Sequence, residues 1–377
     1  MAIRDSLAPD EDSRALQDTL RGFLAGQLSS AALRSSLDTD TGYDAQLHAQ
    51  LAAELGLAGL TIPEEFGGLG MSQAEAGVVH TELGRVLYPG PFLPSCLAAG
   101  ALLAAGDQTA AQYWLPRLAD GSVTGTVAAA GEDGRWSPGS DSVEGGRSAQ
   151  GWYLRGSRWH VIAGHVAGVV VVPAITDAGP AVFLVESGSP GFSVSRQLGI
   201  DLTRRVYVLT FDTTPAYLLS DGPNAGAIVD RAERELLLAT AAEAAGGIGW
   251  CLDATIAYVK DREQFGRPIG SFEAFAHSCV DMLADLQSVS AAARYAAVAS
   301  ADGAAEAPMA ARVAALRAGE AYRGVTESAI HLFGGIGFTW EHDAHLYYRR
   351  AWSAERLAGG PHAHRAAIQA DQPALDH

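Results

Sequence analysis

The sequence predicts an α+β protein of three consecutive parts: an N-terminal helical domain, a middle antiparallel β-domain and a C-terminal helical bundle. Helical apolar patterns occupy both ends of the 377-residue chain, and short β-branched runs are confined to its middle. Because strands do not alternate with helices, a doubly wound sheet is disfavoured. With 48% hydrophobic and only 18% charged residues, the chain can bury a large core and is not expected to be disordered.

The N-terminal domain is predicted to cover residues 1–120 and to be mostly helix. A helix is expected over residues 73–86, where Tyr88-Pro-Gly-Pro ends it, and shorter alanine-rich helices over 98–105 and 110–118. Apolar residues also recur at helical spacing near the start of the chain, at Ala15, Leu16, Leu20, Phe23 and Leu24 and again at Leu47, Leu51 and Leu55.

The middle domain is predicted to cover residues 121–222, where Gly, Ser, Asp and Pro become frequent. Turn signals at Asp177-Ala-Gly-Pro and Gly188-Ser-Pro-Gly separate short β-branched runs. The expected strands are residues 123–127, 166–172, 181–185, 192–194 and 206–211.

The C-terminal domain, residues 223–377, is predicted to be a bundle resembling four helices. Long helical patterns run over residues 233–258 and 310–332. Between them an apolar stripe, interpreted as bundle core, is formed by Phe275, Cys279, Met282, Leu283 and Leu286.

The charge balance argues against nucleic acid and membranes as partners. The chain has 26 basic and 43 acidic residues, a net charge of −17, with no basic run. Its polar N-terminus lacks the apolar segment of a signal peptide, so a cytoplasmic location is expected. Cys96, Cys251 and Cys279 are far apart, which predicts neither a disulfide framework nor a metal site.

Two segments carry features that suit a bound cofactor. Arg262-Glu-Gln-Phe-Gly-Arg-Pro-Ile-Gly follows a long helix, and an Arg beside glycines suits close approach to a phosphate. Phe333-Gly-Gly-Ile-Gly-Phe follows a helix rather than opening one, which argues against a dinucleotide fingerprint but allows backbone to pack on a flat cofactor. The alternative for both segments is an ordinary helix end, stopped by Gly or by Pro268.

Together these segments resemble the acyl-CoA dehydrogenase family. The stretch Leu55-Gly-Leu-Ala-Gly-Leu-Thr-Ile-Pro-Glu-Glu-Phe-Gly-Gly-Leu-Gly70 is also characteristic of that family, so the resemblance spans the chain. It implies FAD-dependent α,β-dehydrogenation of an acyl-CoA thioester. It also implies a dimer or tetramer with identical or homologous subunits, and an electron-acceptor protein as a further partner to consider.

The resemblance also implies which residues contact FAD. Arg262, Gln264 and Phe265 match the motif that reaches the FAD of the neighbouring subunit. The glycine segment matches a second FAD-binding turn at Gly334 and Gly335.

Two positions in these flavin-contacting stretches differ from the family pattern. His331 stands where the family usually has Gln and can still form a hydrogen bond. Trp159, in Trp159-His-Val-Ile162, is implied to cover the flavin, but the hydroxyl donor expected near flavin N5 is missing from this stretch.

The usual catalytic base is absent from the expected positions. Counting from His331 places Ala358 where many members carry the Glu that removes the α proton. In other members the base lies on the helix before the Arg262 motif, and counting back gives Leu236 there. Glu243 lies two turns further along the same helix face and is the remaining candidate, with a structural carboxylate as the alternative.

Three interpretations remain open at this point. The chain is an active acyl-CoA dehydrogenase whose base lies elsewhere, or it is the base-lacking subunit of a heteromeric enzyme in which another subunit supplies the Glu. The third interpretation, from a different functional class, is a non-catalytic binding or scaffold protein that retains only the fold.

Overall fold

The computed structural model describes residues 11–136 and 143–371 of the chain. The N-terminal part is helical, as predicted, and several of its helices begin at side chains that cap them. Ser72 and Glu75 form a reciprocal capping box at the start of α4, and the Asp107 carboxylate caps α6. The helices are α1 (Glu11–Gln27), α2 (Ser30–Leu37), α3 (Ala45–Ala53), α4 (Gln73–Arg85), α5 (Phe92–Ala105) and α6 (Gln108–Ala119).

The middle part is a β-barrel with two attached strands. Within the described residues its strands are β1 (Gly125–Val127), β2 (Val143–Ser148), β3 (Gly151–Ile162), β4 (Val169–Thr176), β5 (Gly179–Glu186), β6 (Phe192–Arg196) and β7 (Val206–Asp221). The order β4-β2-β3-β7-β5 closes on itself because β5 also pairs with β4, and β1 and β6 extend it. Two of the strands, β2 and β3, lie outside the predicted set.

The β-domain is antiparallel, as expected, except at two strand pairs, both of which involve β4. β1 runs parallel to β4, and β2 meets β4 through a single parallel pair, Glu144 with Ile175. The reason is topological: the chain passes through β2 and β3 before it returns to β1, so it can re-enter beside β1 in the same direction. The other strand pairs of the barrel are antiparallel.

The C-terminal part is built around one helix of 39 residues, α7 (Pro223–Asp261). It is followed by the two-residue strands β8 (Glu263–Gln264) and β9 (Arg267–Pro268), and then by α8 (Glu273–Ala301), α9 (Ala307–Phe333), α10 (Ala344–Ala354) and α11 (Gly360–Ala370). Of the predicted core stripe on α8, Met282 is buried and Phe275, Cys279 and Leu286 pack partly against the core, but Leu283 is 45% exposed.

Helix α7 joins the N-terminal helices to the C-terminal bundle. It packs against α8 and α9 and equally against α4 and α5, so both helical parts share one hydrophobic core. Among the helices in the described ranges, none combines the length and the hydropathy required to cross a membrane.

Helices α4 and α7 cross at backbone contact because glycines face each other's main chains. A Cβ atom on Gly84 would lie 2.2 Å from the carbonyl oxygen of Glu243, and one on Gly246 would lie 1.9 Å from that of Thr81. No side chain fits at either position unless the helices move apart.

We therefore expect Gly246→Ala to lower the free energy of unfolding by about 1–3 kcal/mol, since the added methyl group overpacks the crossing. The control is Gly226→Ala on the same helix, where a Cβ atom would meet nothing within 4 Å. That change should be neutral or should stabilise by up to about 1 kcal/mol through helix propensity. Urea unfolding measures both, and equal effects would contradict the close crossing.

Candidate functional site

A cavity of about 580 Å³ lies where the three parts of the chain meet. Its volume is within the usual range for small-molecule sites. The β-barrel forms one wall, α5 and α7 form the floor, and the segment after α10 forms the opposite wall. The lining residues are Pro94, Leu97, Thr126, Val127, Ala130, Asp133, Gly134, Trp136, Trp159, His160, Ile162, Gly199, Ile200, Asp201, Arg204, Val206, Leu236, Trp352, Ser353, Arg356, Leu357, Gly359, Gly360, Pro361 and His362.

The barrel wall is shaped by an irregularity in β3. The pairing of β3 with β7 shifts register between Arg158 and Val161, and His160 there has a φ of 53°. A positive φ at a residue other than Gly is unfavourable and persists only when surrounding contacts hold it. Here the His160 N–H donates to the Gln197 side chain, and the Trp159 N–H donates to the Ala130 carbonyl. The result is that Trp159 and His160, neighbours in sequence, both line the cavity.

The opposite wall contains the turn in which Ala358 lies. Residues Leu357–Gly359 form a single 3₁₀ turn, and both Leu357 and Gly359 line the cavity. Leu236, fully buried on α7, lines the same cavity from the floor. Of the two positions at which the resemblance places a base, Leu236 therefore lines the cavity, and Ala358 lies in a turn whose other two residues line it. Neither Leu nor Ala carries a proton acceptor.

The described carboxylates that line the cavity are those of Asp133 and Asp201, and both are engaged. Asp133 accepts a hydrogen bond from the Arg135 N–H at 3.0 Å, and its side chain is 63% exposed. Asp201 is buried and accepts from Arg350 and Thr203. A general base needs an available acceptor beside the reacting carbon. The buried Asp201 is committed to Arg350 and Thr203 and does not provide one. The exposed carboxylate of Asp133 keeps acceptor capacity, and the imidazoles of His160 and His362 also line the cavity.

Glu243 does not line this cavity. It faces a separate cavity of about 20 Å³ on the other side of Arg204. Its Oε2 accepts from the Arg204 guanidinium and, at 3.3 Å, from Arg350 Nη1, and His80 Nδ1 lies 3.7 Å from Oε1. Burial alone would raise the pKa of Glu243, but Arg204, His80 and Arg350 together hold it well below its ordinary range. Such a carboxylate is a weak base, so the geometry favours the structural role for Glu243.

We expect Glu243→Gln to lower the free energy of unfolding at pH 7 by about 3–5 kcal/mol, because two buried guanidinium groups lose their anion. The folded-state pKa of Glu243 is depressed, so its contribution is complete above the unfolded pKa of about 4.3 and is lost as the pH falls below it. The stability difference between wild type and variant should therefore shrink as the pH falls below about 4.3.

Urea unfolding at several pH values measures this difference. Glu233→Gln is the matched control on the same helix. Glu233 also pairs with an arginine, Arg312, but burial raises its pKa, whereas the pKa of Glu243 is lowered. A Glu243→Gln variant as stable as wild type at pH 7 would show that the charges are not coupled.

The predicted phosphate-binding motif forms an exposed hairpin at the end of α7, residues 262–268, called here the Arg262 hairpin. β8 and β9 pair through Gln264 and Arg267, and the two residues between them, Phe265 and Gly266, have φ values of 54° and 77°. Two positive φ values are typical of a type I′ turn. Phe265 is 91% exposed at the tip.

The predicted second FAD turn lies at the same end of the bundle. Gly334–Phe338 forms a 3₁₀ turn after α9, called here the glycine turn, and Phe333 beside it packs on Tyr258 of α7 with ring centroids 5.1 Å apart. A Cβ atom on Gly334 or Gly335 would meet nothing within 4 Å, so the backbone there is open to an approaching group. His331, in the last turn of α9, is exposed.

The structure thus separates the predicted FAD contacts into two sets. Arg262, Gln264, Phe265, His331, Gly334 and Gly335 lie on the exposed end of the bundle, and none of them lines the large cavity, whereas Trp159 does. The exposed end also carries Phe338 at 78% and Trp340 at 58% exposure. Apolar side chains exposed together in this way mark an interaction surface.

The sequence interpretation missed a buried charge cluster next to the cavity. Asp201 and Arg204 come from the loop between β6 and β7, and Arg350 comes from α10; Arg350 is 2% exposed. A signal was present in Asp201-Leu-Thr-Arg-Arg205, where two adjacent arginines follow an Asp. Only the tertiary structure shows that Glu243 and Arg350 are their partners.

Comparison with known proteins agrees with these features. The sequence matches the family model "Acyl-CoA dehydrogenase, N-terminal domain" over residues 10–122 and "Acyl-CoA dehydrogenase, C-terminal domain" over residues 236–372. It is 35% identical over 359 residues to "Acyl-CoA dehydrogenase IpdE2" of Mycobacterium tuberculosis (strain ATCC 25618 / H37Rv), which covers 94% of this chain and 95% of that protein. The chain belongs to the acyl-CoA dehydrogenase family.

Solved structures extend the similarity. A variant of the Tcur3481-Tcur3483 steroid ACAD shares 30% identity at a TM-score of 0.86, covering 96% of this chain and 97% of that chain. The ChsE4-ChsE5 complex from Mycobacterium tuberculosis gives 28% identity and a TM-score of 0.88, covering 98% of this chain and 100% of that chain. Acyl-CoA dehydrogenase family members are FAD-dependent oxidoreductases, and solved relatives include two-component assemblies.

The residues of this family member provide a surface for the flat ring of FAD more clearly than they provide a hydrogen-bond donor for its reactive nitrogen. Trp159 offers a flat apolar surface in a cavity large enough for a planar ring, and the open glycine turn and Arg262 offer backbone and guanidinium donors elsewhere. By contrast, the hydroxyl of Thr126, which lines the cavity, already donates to the Ile162 carbonyl at 2.8 Å.

Proposed function

We propose that this chain is the base-lacking subunit of a heteromeric, FAD-dependent acyl-CoA dehydrogenase. The proposal is supported by the exposed Arg262 hairpin together with Leu236 and Ala358, the residues at the two positions where the resemblance to the family places a base. A chain that has lost its own proton acceptor but keeps the contacts directed at a neighbour is best suited to complete that neighbour's site.

In the reaction of the family, a carboxylate removes the α proton of the acyl thioester while the β hydride passes to FAD, which leaves an α,β-unsaturated thioester. The homologous partner supplies that carboxylate. In this chain, Trp159 would cover the flavin ring from the barrel side. Arg262 would donate to the flavin pyrophosphate of the partner, and Gly334 and Gly335 would let the backbone approach the same cofactor.

The proposed substrate is an acyl-CoA thioester with a bulky apolar acyl group. The cavity of about 580 Å³ and its apolar side chains from α5 and α7, Leu97 and Leu236, support this choice. The similarity at 30% identity to a protein named as a steroid ACAD points in the same direction. An electron-acceptor protein would reoxidise the flavin.

Two other functions remain candidates with specific support. A homomeric active enzyme, with its base at another position, is supported by Asp133, His160 and His362, whose side chains are of proton-accepting types and line the cavity. A non-catalytic binding protein is favoured by the missing hydroxyl donor in the Trp159 stretch, and it differs from the proposed function because it would not retain flavin in any assembly.

The proposal predicts that the tagged chain, purified from its native host, brings with it a homologous chain that carries Glu at the position corresponding to Ala358. The complex should contain bound FAD, because the two chains complete the site together. Native mass spectrometry and the flavin absorbance of the complex measure both properties. A purely homomeric, colourless protein would support the binding-protein alternative instead.

Within that complex, Arg262→Ala should leave the assembly intact and weaken FAD binding by about 10-fold or more, since a charge-assisted hydrogen bond contributes about 1.5–3 kcal/mol. Arg155→Ala is the control, because Arg155 is an exposed arginine of β3 that bonds only locally to Thr213 in the described contacts. Full flavin retention by Arg262→Ala would remove the hairpin from the proposed site.

A further inference from the structure

One wall of the large cavity is a loop with little apolar anchoring. The loop of residues 197–205 connects β6 to β7, and four of its residues, Gly199, Ile200, Asp201 and Arg204, line the cavity. Of its three apolar side chains, Leu198 is fully exposed, Ile200 is 53% exposed, and Leu202 packs partly against the core. Segments with few buried apolar contacts open easily unless other interactions hold them. The position of this wall must therefore depend on polar contacts.

Arg350 supplies four of those contacts from α10. Its Nε donates to Asp201 Oδ2 at 2.9 Å and to Thr203 Oγ1 at 3.0 Å. Its Nη2 donates to the carbonyl oxygen of Thr203 at 2.9 Å and to Thr203 Oγ1 at 2.6 Å. One planar guanidinium thus binds a carboxylate, a hydroxyl and a backbone carbonyl of the loop, an arrangement that the single ammonium group of Lys cannot reproduce.

The same guanidinium is fixed on its other side by α7. Arg350 Nη1 donates to Glu243 Oε2 at 3.3 Å, and Glu243 also binds Arg204 of the loop. Although burial opposes the charge, Asp201 and Glu243 raise the pKa of Arg350 above its ordinary value. Arg350 therefore stays protonated and links the loop to α7.

The helix that carries Arg350 also leads into the opposite wall of the cavity. Trp352, Ser353 and Arg356 follow within two turns and line it, and the Leu357–Gly359 turn comes next. The neighbouring Arg349 donates to the Ile200 carbonyl at 3.2 Å and lies over the Trp340 ring at 5.2 Å, just after the glycine turn. Helix α10 thus contacts the loop wall and leads into the opposite wall, and its Arg349 also contacts Trp340 at the exposed end of the bundle.

We propose that Arg350 is a positioning residue that fixes the distance between the 197–205 loop and the Leu357–Gly359 turn, and so sets the shape of the cavity in which the ligand binds. Only the identity of that ligand depends on the proposed function. Arg350 itself does not line the cavity, so it acts through Asp201, Thr203 and the turns of α10 that follow it.

The test compares Arg350→Lys with Arg312→Lys in the full chain. Arg312 is the matched control, because it also pairs with a buried carboxylate of α7, Glu233, but neither residue lines the cavity. Hydrogen–deuterium exchange of the two peptides that cover residues 197–205 and 355–362 is measured together with the melting temperature. FAD affinity, measured by equilibrium dialysis, is the second readout.

In Arg350→Lys we expect amide exchange in both peptides to rise by about tenfold, because several hydrogen bonds of the loop are lost while the charge is kept. FAD affinity should fall by about fivefold or more. Arg312→Lys should leave both readouts at wild-type values even where it lowers the melting temperature equally. Unchanged exchange in the two peptides of Arg350→Lys, or an equal rise throughout the chain, would overturn the proposal.

If Arg350→Lys does not fold, Asp201→Asn removes the same ion pair from the loop side at constant volume and carries the same expectations. If the wild-type chain alone binds no FAD, which the shared site of the proposed function allows, FAD affinity is measured in the complex with the homologous chain, and the exchange measurement still decides the role of Arg350.

Discussion

The close crossing of α4 and α7 is the constraint on which the rest of the molecule depends. Gly84 and Gly246 allow the two helices to meet at their backbones, which sets the course of a 39-residue helix through both helical parts. Leu236, Glu243 and the Arg262 hairpin are all carried by that helix or follow it directly. The cavity floor, the charge cluster and the exposed end of the bundle are thereby placed in one fixed order along a single axis.

The two buried carboxylates near the cavity serve structure rather than proton transfer. Asp201 and Glu243 each bind buried guanidinium groups, and a carboxylate in that position is stabilised as an anion. A base must be free to take up a proton when the substrate is bound. The fold of an acyl-CoA dehydrogenase is retained here, while Leu236 and Ala358 stand where the resemblance to the family places a base. The exposed hairpin and glycine turn remain available to another subunit.

Much of the architecture could be predicted from the sequence because its signals are local. The helical periods gave α4 over Gln73–Arg85 against an expected 73–86, and α9 over Ala307–Phe333 against 310–332. Strands β2 and β3 were missed, because Gly145, Gly146 and the charged Arg155 and Arg158 interrupt the β-branched pattern. The parallel pairing of β1 with β4 could not be predicted either, since strand direction depends on the path of the whole barrel.

The site was only partly predictable for a related reason. The hairpin and the glycine turn are short segments whose glycines and charges identify them directly. The charge cluster joins residues 107 and 149 positions apart in sequence, and no local pattern reveals such a contact. Glu243 illustrates the difference: the sequence predicted that it shares a helix face with Leu236, but only the positions of Arg204 and Arg350 show that it is held as an anion.

The central claim is that this chain holds an acyl thioester and a flavin without a proton acceptor of its own. Anaerobic mixing of the FAD-loaded chain with a saturated acyl-CoA, followed by the flavin absorbance, tests it most directly. The account predicts that the wild-type chain leaves the flavin oxidised and that Ala358→Glu gains measurable flavin reduction. Rapid bleaching of the flavin by the wild-type chain alone would contradict it.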